Sequence, residues 1–258
     1  MKVLINSSTP ASTPTAEHRP QYFSSYVVNK SIAIDAGALG LSGTIEEQSN
    51  IRHVFLTHCH LDHIASLPVF LENAYDPERE TVAAYGHPAA LADIQKHLFN
   101  DLIWPDFVRL PTPRHPLVKL CPIKPESPIQ VNGLTVTPVL VDHIVATYGY
   151  VVTDGSSTVV FGGDSRPTSR IWEVAKLAPE PISVFLEASF PDALAKLAHD
   201  SAHLTPGLFG AEIGKMPEIR KLLAIHIKPR FYEETVRELR QLNLPKLEIG
   251  LPGFEYDL

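Results

Sequence analysis

Apolar and polar positions alternate along the chain in two patterns, which predict strands and helices. Short apolar runs bounded by polar residues or glycine predict strands, and apolar residues three and four positions apart predict helices. The predicted strands cover residues 22–29, 31–35, 53–57, 81–85, 117–121, 134–141, 158–161, 183–187 and 221–227, with 1–6 and the first two forming a β-meander. The predicted helices cover 64–74, 88–100, 169–178, a segment from 192, a segment after 206, and 232–242.

The order of these elements predicts the fold class. The first half is rich in strands, and the pattern partly repeats after residue 134. Such alternation of strands and helices predicts an α/β protein with two mixed sheets packed together and helices on the outside. The segment 105–128 holds seven of the chain's 23 prolines. We interpret it as a long excursion over the surface rather than a linker, so we predict a single domain over 1–258.

Composition and charge exclude several classes of protein. The chain has 258 residues, of which 44% are hydrophobic and 20% charged, as in ordinary folded proteins and unlike disordered ones. No apolar run approaches the roughly 18 to 20 residues that span a bilayer. The formal net charge of −7 argues against broad, charge-driven binding of nucleic acid.

Cysteine usage and the first residues predict the compartment. Two cysteines, Cys59 and Cys121, are too few for a disulfide framework and suit a reducing cytosol. The apolar stretch at residues 3–5 is far shorter than the apolar core of a secretion signal. We therefore expect a cytoplasmic protein that does not bind membranes.

The candidate chemistry is concentrated in residues 57–63, directly after a predicted strand. Their sequence, Thr-His-Cys-His-Leu-Asp-His, holds three of the chain's 12 histidines and one aspartate. The chance of this match in such a chain is roughly one in a thousand. Imidazole and carboxylate groups are ligands of zinc, iron and manganese. In an extended segment His58 and His60 point to one side, so they are predicted to bind a metal, while Asp62 and His63 face a second ion.

Three later residues complete a resemblance to a known family. The pattern His-x-His-x-Asp-His after a strand resembles the hallmark of the metallo-β-lactamase superfamily, and the surroundings of His143, Asp164 and His226 resemble its remaining ligand motifs in order. The resemblance implies a four-layer αβ/βα sandwich with two mixed sheets and helices on the outer faces. It also implies two divalent transition-metal ions (zinc foremost, with iron and manganese as alternatives), with Asp164 bridging both. The implied ligands are His58, His60, Asp62, His63, His143, Asp164 and His226.

A narrower resemblance concerns the substrate. Segment 31–37 is similar to the strand that precedes the site in these hydrolases, and the segments 187–191, 201–206 and 226–229 together resemble the class II cyclic-nucleotide phosphodiesterases. This resemblance implies hydrolysis of 3′,5′-cyclic AMP or GMP to the 5′-monophosphate by a metal-bridging hydroxide, and a homodimer as the assembly. The chain departs from that family after the metal motif, where Ser-Leu-Pro at 66–68 and Glu-Asn-Ala at 72–74 replace a glycine and an apolar run ending in Ser-Pro.

Four residues are predicted to act beyond metal binding. Asp62 is predicted to orient the nucleophile. His203 also resembles the histidine motif of tRNA 3′-processing endonucleases and is predicted to protonate the leaving oxygen, since an alkoxide leaves poorly without an acid. Lys228 is predicted to contact the substrate phosphate as a point charge, and Thr205 is predicted to bind substrate. Arg166 is a further candidate for the phosphate.

Other side chains have a structural and a functional interpretation. Cys59 lies between two predicted ligands, but its side chain should point the opposite way, which favours burial over metal binding. Trp104, Phe107 and Tyr148 are candidates either for stacking on a nucleobase or for packing in the core.

Three classes of function remain open. The first is a cyclic-nucleotide phosphodiesterase. The second is another hydrolase of the same fold, such as an RNA-processing nuclease, a thioesterase, a lactonase or a phosphonate-pathway enzyme; a tRNA nuclease would carry a basic arm, and no long insertion rich in Lys and Arg is visible. The third is a non-catalytic binding protein that keeps the fold, against which the full set of seven predicted ligands argues.

Overall fold

Residues 1–7, 23–110 and 116–258 are described by a computed structural model, and they fall into two units. The N-terminal unit comprises Lys2–Lys124 and Pro252–Glu255, and the C-terminal unit comprises Pro125–Leu251, Met1 and Tyr256–Leu258. Tyr22, where a strand was predicted to begin, and residues 111–115 of the proline-rich segment lie outside the described residues. Within the described ranges, no helix has the length and apolar character needed to cross a membrane.

The sheet of the N-terminal unit has an antiparallel part followed by a parallel part. Its strands lie in the order β1-β2-β3-β4-β5-β6. β1 to β3 pair antiparallel, and β3 to β6 pair parallel. The strands are β1 (Lys2–Ile5), β2 (Tyr26–Val28), β3 (Ile32–Ile34), β4 (His53–Phe55), β5 (Val82–Gly86) and β6 (Val118–Pro122). The last strand of the chain, β14 (Glu255–Asp257), begins with a residue of this unit and ends with residues of the other.

A tight turn sets the register of the predicted meander. Asn29 and Lys30 join β2 to β3 with φ angles of 47° and 54°. Positive φ at both central residues matches the right-handed twist of the strands they join. Val28 consequently pairs with Ile32, and β1 adds to β2 as the meander prediction requires.

Helices cover one face of this sheet. They are α1 (Ile45–Ser49), α2 (Leu61–Ile64), α3 (Leu67–Ala74) and α4 (Pro88–His97), with a 3-10 turn at Leu39–Leu41. The single helix predicted over 64–74 is wrong, because the chain breaks between α2 and α3. Ser66 at the break donates its hydroxyl to the carbonyl of Ala36 and accepts a bond from the amide of Gly40, both at 2.9 Å. Pro68 cannot donate a helical hydrogen bond back to residue 64, so the break follows from the sequence.

The sheet of the C-terminal unit repeats the same succession. Its order is β13-β12-β11-β10-β9-β8-β7, antiparallel from β7 to β10 and parallel from β10 to β13. The strands are β7 (Ile129–Val131), β8 (Leu134–Val141), β9 (Thr147–Thr153), β10 (Thr158–Phe161), β11 (Ile182–Glu187), β12 (Ile219–Ile225) and β13 (Leu247–Ile249). The partial repeat seen in the sequence after Leu134 is therefore a repeat of strand order.

Buried polar groups join the helices of this unit. The helices are α5 (Arg170–Ala175), α6 (Ala195–Asp200), α7 (Pro206–Ile213) and α8 (Tyr232–Gln241), with 3-10 turns at Asp192–Leu194 and Pro229–Phe231. Glu212 on α7 is fully buried and accepts a 2.7 Å hydrogen bond from Nε1 of Trp172 on α5. Lys215 donates to the same carboxylate at 2.6 Å, which compensates its charge.

Candidate metal and catalytic site

In the N-terminal unit, the histidine motif leaves β4 and enters α2. His60 immediately precedes α2, and Asp62 and His63 lie within it. Nε2 of His58 is 2.9 Å from Nδ1 of His60, so the two imidazoles converge on one side, as the alternation predicts. Two imidazole nitrogens this close fit a shared cation. Cys59 is only partly buried: it packs against the hydrophobic core, and its thiol lies 4.0 Å from the carboxylate of Asp93, so its predicted burial is confirmed in part.

Asp35 is a buried residue of this site that the sequence analysis missed. It directly follows β3 and accepts hydrogen bonds from the amide of Thr57 (2.7 Å), the hydroxyl of Thr57 (2.8 Å) and Nδ1 of His63 (2.7 Å). Burial raises the pKa of Asp35, and the neighbouring His63 acts in the opposite direction. A carboxylate on Nδ1 fixes the ring so that Nε2 is the nitrogen directed to a metal. The sequence signals at Asp35 were its position after an apolar strand and its place in segment 31–37, whose resemblance to these hydrolases assigned it no role.

The backbone beside Asp35 holds the motif in place. Ala36 donates its amide to the carbonyl of His63, and Ser24 donates to that of Asp62, both at 2.8 Å. A Cβ on Gly37 would lie 2.1 Å from the carbonyl oxygen of Asp62. Only glycine allows this close approach of two backbones.

In the C-terminal unit, three predicted ligands follow the carboxyl ends of strands. His143 comes after β8, Asp164 after β10 and His226 after β12. Gly163 has a φ of +69°, which turns the chain sharply before Asp164. Oδ2 of Asp164 lies 3.1 Å from Nε2 of His226. His143, Asp164 and His203 each offer one ligand atom, and these three atoms lie within 4.8 Å of one another. Two imidazoles and a carboxylate are chemically suited to a divalent ion.

Neighbouring groups orient His143. Its Nδ1 donates to the carbonyl of Ala202 at 2.9 Å, which directs Nε2 away from that carbonyl. Burial lowers the pKa of His143, and a neutral imidazole is the form that binds metal. Arg166 donates to the side chain of Asp142 at 3.2 Å and to the carbonyl of His199 at 3.1 Å. Arg166 therefore links Asp142, which precedes His143, to α6, which ends three residues before His203.

His203 forms a buried pair with Glu187, the second site residue that the sequence analysis missed. Nδ1 of His203 is 2.8 Å from Oε1 of Glu187 and 3.3 Å from the hydroxyl of Ser189. Glu187 also accepts bonds from the amide of Ser165 (3.0 Å) and the hydroxyl of Ser189 (2.7 Å). Burial lowers the pKa of His203, but the carboxylates of Glu187 and Asp164 outweigh it and raise the pKa above its usual range. The imidazolium is the form that can donate a proton.

The two predicted substrate residues have different surroundings. Nζ of Lys228 is 3.0 Å from Nε2 of His226, which places a cation beside a predicted ligand. Thr205 is buried at the start of α7, where its hydroxyl caps the helix by accepting from the amide of Leu208 at 3.5 Å.

The three aromatic candidates for base stacking pack in the hydrophobic cores or against them. Phe107 is buried and stacks on Phe99 with ring centroids 5.6 Å apart, and Trp104 packs against the same core of the N-terminal unit. Tyr148 is fully buried in β9. Of the two interpretations, packing describes these side chains.

Comparison with known proteins places these observations in a family. The family model described as a β-lactamase superfamily domain matches residues 34–227. The chain is 38% identical to 3′,5′-cyclic-nucleotide phosphodiesterase 1 of Saccharomyces cerevisiae over 96 residues, which are 37% of this chain and 24% of the yeast enzyme. The match thus spans about a quarter of that relative. The structure of unliganded yeast PDE1 has a TM-score of 0.74 at 19% identity and covers 98% of both chains.

Two further relatives extend over more of the sequence. The probable metallo-hydrolase YhfI of Bacillus subtilis is 28% identical over 237 residues, or 88% of both chains, and its crystal structure has a TM-score of 0.71 with 99% of both chains covered and 22% identity. Ribonuclease Z of Archaeoglobus fulgidus is 23% identical over 235 residues, or 72% of both chains. The solved structures confirm the predicted metallo-β-lactamase fold with its two mixed sheets. The chain belongs to the β-lactamase superfamily, and its metallo-β-lactamase fold together with its clusters of histidine and aspartate implies divalent metal ions.

Proposed function

We propose that this protein is a phosphodiesterase that hydrolyses 3′,5′-cyclic AMP or GMP to the 5′-monophosphate. The observation that carries the proposal is the buried pair of Glu187 and His203 beside Asp164. A sugar alkoxide is a strongly basic leaving group that needs a proton donor, whereas the thiolate released from a thioester does not. The similarity to the yeast cyclic-nucleotide phosphodiesterase supports this choice of substrate.

The proposed metal ligands have the donors that such a reaction requires. When bound, divalent ions lower the pKa of a water nucleophile and offset negative charge on phosphoryl oxygens. The imidazole pair of His58 and His60 and the close approach of Asp164 to His226 fit such ions in each unit. We propose two ions, zinc foremost, bound by His58, His60, Asp62, His63, His143, Asp164 and His226, with Asp62 also orienting the nucleophile.

His203 would complete the reaction by proton transfer. Water adds to phosphorus and gives up one proton to the solvent while the bond from phosphorus to O3′ breaks, and His203 afterwards takes up a proton from the solvent in place of the one that it delivers. Glu187 holds Nδ1 of His203, so Nε2 is the atom that delivers its proton to O3′. The ammonium group of Lys228 offsets the phosphate charge beside His226. The product is a 5′-monophosphate with a free 3′-hydroxyl group.

The substitution His203→Ala tests the acid role. We expect the variant to keep its metal, to lose about 10²-fold in kcat/KM on a cyclic nucleotide, and to lose clearly less on a bis-aryl phosphodiester, whose leaving group is a weak base. Glu187→Gln should show the same bias between substrates at smaller amplitude. Equal losses on both substrates would contradict proton donation, and loss of metal would make His203 a ligand.

Processing of RNA is the second candidate function. The similarity to ribonuclease Z over 72% of both chains favours it. A turnover screen of the metal-loaded protein with cyclic nucleotides, a bis-aryl phosphodiester, a precursor tRNA, a thioester and a lactone distinguishes the candidates. Cleavage of the precursor tRNA without hydrolysis of a cyclic nucleotide would replace the first proposal.

The proposal extends to assembly and compartment. We propose a homodimer that acts on small phosphodiesters in the cytosol. The thiols of Cys59 and Cys121 are both unpaired with another cysteine, a state that a reducing compartment maintains.

A further inference from the structure

Two phenylalanines of the C-terminal unit pair with each other beside His203. The ring centroid of Phe190 lies 5.8 Å from that of His203, at an interplanar angle of 65°. The ring of Phe231 lies 5.9 Å from that of Phe190, at 53°. Both side chains are partly exposed, and neither belongs to the hydrophobic core cluster described for this unit.

The backbone fixes this pair in relation to Lys228. The amide of Lys228 donates to the carbonyl of Ser189 at 3.2 Å, so the turn that carries Phe190 lies beside the turn that carries Lys228. The amide of Phe231 donates to the carbonyl of Lys228 at 2.9 Å, within the 3-10 turn that begins at Pro229. The ring of His203 lies 5.6 Å from that of His226, whose Nε2 is 3.0 Å from Nζ of Lys228. We call Phe190, His203, Lys228 and Phe231 the aromatic subsite.

We propose that the aromatic subsite binds the nucleobase of the substrate by stacking. This proposal rests on the proposed phosphodiesterase function, in which His203 lies beside O3′ and Lys228 beside the phosphate. The base is attached to the same ribose and must lie near that end of the molecule. An aromatic ring outside the core offers its π face to any base, and such a stack lowers the dissociation constant by roughly 5- to 150-fold.

Stacking also has a consequence for selectivity. Every base has a π face, so stacking discriminates weakly among bases when no hydrogen-bonding side chain reads their edges. Phe190 and Phe231 make no side-chain hydrogen bonds, and the two donors of the aromatic subsite, His203 and Lys228, are assigned to O3′ and to the phosphate rather than to the base. We expect kcat/KM for cyclic AMP and cyclic GMP to differ by less than about tenfold.

Substitution of Phe231 tests the subsite most cleanly, because Phe190 also contacts the proposed acid. Phe231→Leu keeps apolar volume without a π face, and Phe231→Tyr keeps the ring. We expect Phe231→Leu to raise KM for cyclic AMP about tenfold and to leave kcat/KM unchanged on a base-free ribose 3,5-cyclic phosphate, with Phe231→Tyr close to the unmodified protein. Phe254→Leu, at an exposed phenylalanine of the N-terminal unit, is the matched control. It should change neither KM for cyclic AMP nor kcat/KM for the base-free substrate.

The outcomes separate this proposal from the function on which it rests. If the unmodified protein hydrolyses neither cyclic nucleotide, the proposed function fails. If it hydrolyses them and Phe231→Leu leaves KM for cyclic AMP unchanged, or affects the base-free substrate equally, the aromatic subsite is overturned. Inhibition constants for 5′-AMP and ribose 5-phosphate give a second measurement, in which only the constant for 5′-AMP should rise in Phe231→Leu.

Discussion

At the scale of single residues, each unit uses a buried carboxylate to hold a histidine. Asp35 holds Nδ1 of His63 at 2.7 Å, and Glu187 holds Nδ1 of His203 at 2.8 Å. Asp35 follows β3 directly, and Glu187 is the last residue of β11. In both cases the carboxylate determines which ring nitrogen is directed to the proposed chemistry.

The role of Asp35 can be tested by removing its charge. We expect Asp35→Asn to weaken metal binding about 10- to 100-fold, because the ring of His63 loses the group that orients it and makes it more basic. Competition with a chelator of known affinity measures this change. Asp93→Asn is a control on another carboxylate of the same unit, and affinities that fall equally in both variants would contradict an orienting role for Asp35.

His53 gives a pH dependence whose sign can be stated. Burial lowers the pKa of His53 below its usual value of 6.5, and the charge of Glu80 opposes this only in part. Below pH 6.5 the unfolded chain therefore takes up a proton that the folded protein resists, so this residue's stabilising contribution is present above pH 6.5 and is lost as pH falls through the lowered pKa. His53→Phe should flatten the decline in the free energy of unfolding between about pH 7.5 and pH 5.5, measured in urea. Parallel pH profiles for the two proteins would show that His53 does not titrate in this way.

At the scale of elements, α7 links a helix cap to the proposed acid. Thr205 caps α7 only two residues after His203. Thr205→Ala should lower the free energy of unfolding by about 1 kcal/mol, whereas Thr205→Ser should keep most of it, because serine also caps helices. Urea denaturation measures both. The prediction that Thr205 also binds substrate requires a rise in KM in Thr205→Ala, and an unchanged KM would leave the cap as its function.

The periodicity of apolar residues predicted most helices and strands, but not those whose sequence lacks a clear alternation or is interrupted by glycine. β10 has the predicted bounds because its four residues are wholly apolar or β-branched and lie between polar turns. β9 was not predicted for two reasons. Six of its seven residues are buried, so apolar and polar positions do not alternate along it, and Gly149 interrupts it. A Cβ at Gly149 would lie 2.4 Å from Cδ1 of Ile171, so packing rather than strand propensity requires glycine there.

Some residues of the site could be predicted from a local sequence motif, whereas others depend on contacts between distant parts of the chain. The motif at 57–63 is local in sequence, so its spacing alone indicated metal binding. Asp35 acts on a residue 28 positions away, and Glu187 on one 16 positions away. Such pairs depend on which strands become neighbours, and a single sequence does not show this.

At the scale of the whole molecule, metal binding should govern stability. A ligand that binds only the folded protein stabilises it by about 2.7 kcal/mol at a concentration 100 times its dissociation constant. We therefore expect removal of metal by a chelator to lower the free energy of unfolding by at least this amount, and elemental analysis to find two ions per chain. Asp164→Ala should lose at least one ion together with activity. Less than one tightly bound ion in protein expressed with ample metal would contradict the two-ion proposal.

The bond between Trp172 and Glu212 gives the protein a pair of optical reporters. The chain has two tryptophans, and each unit contains one of them, Trp104 in the N-terminal unit and Trp172 in the C-terminal unit. Trp172 emits from a fully enclosed site with its indole N–H on a carboxylate, so its fluorescence changes when that unit opens. In Trp104→Phe only the C-terminal unit contains a tryptophan that emits, and in Trp172→Phe only the N-terminal unit does. Coincident urea midpoints for the two emissions would show that residues 1–258 unfold as the single domain predicted from the sequence, and separate midpoints would show two cooperative units.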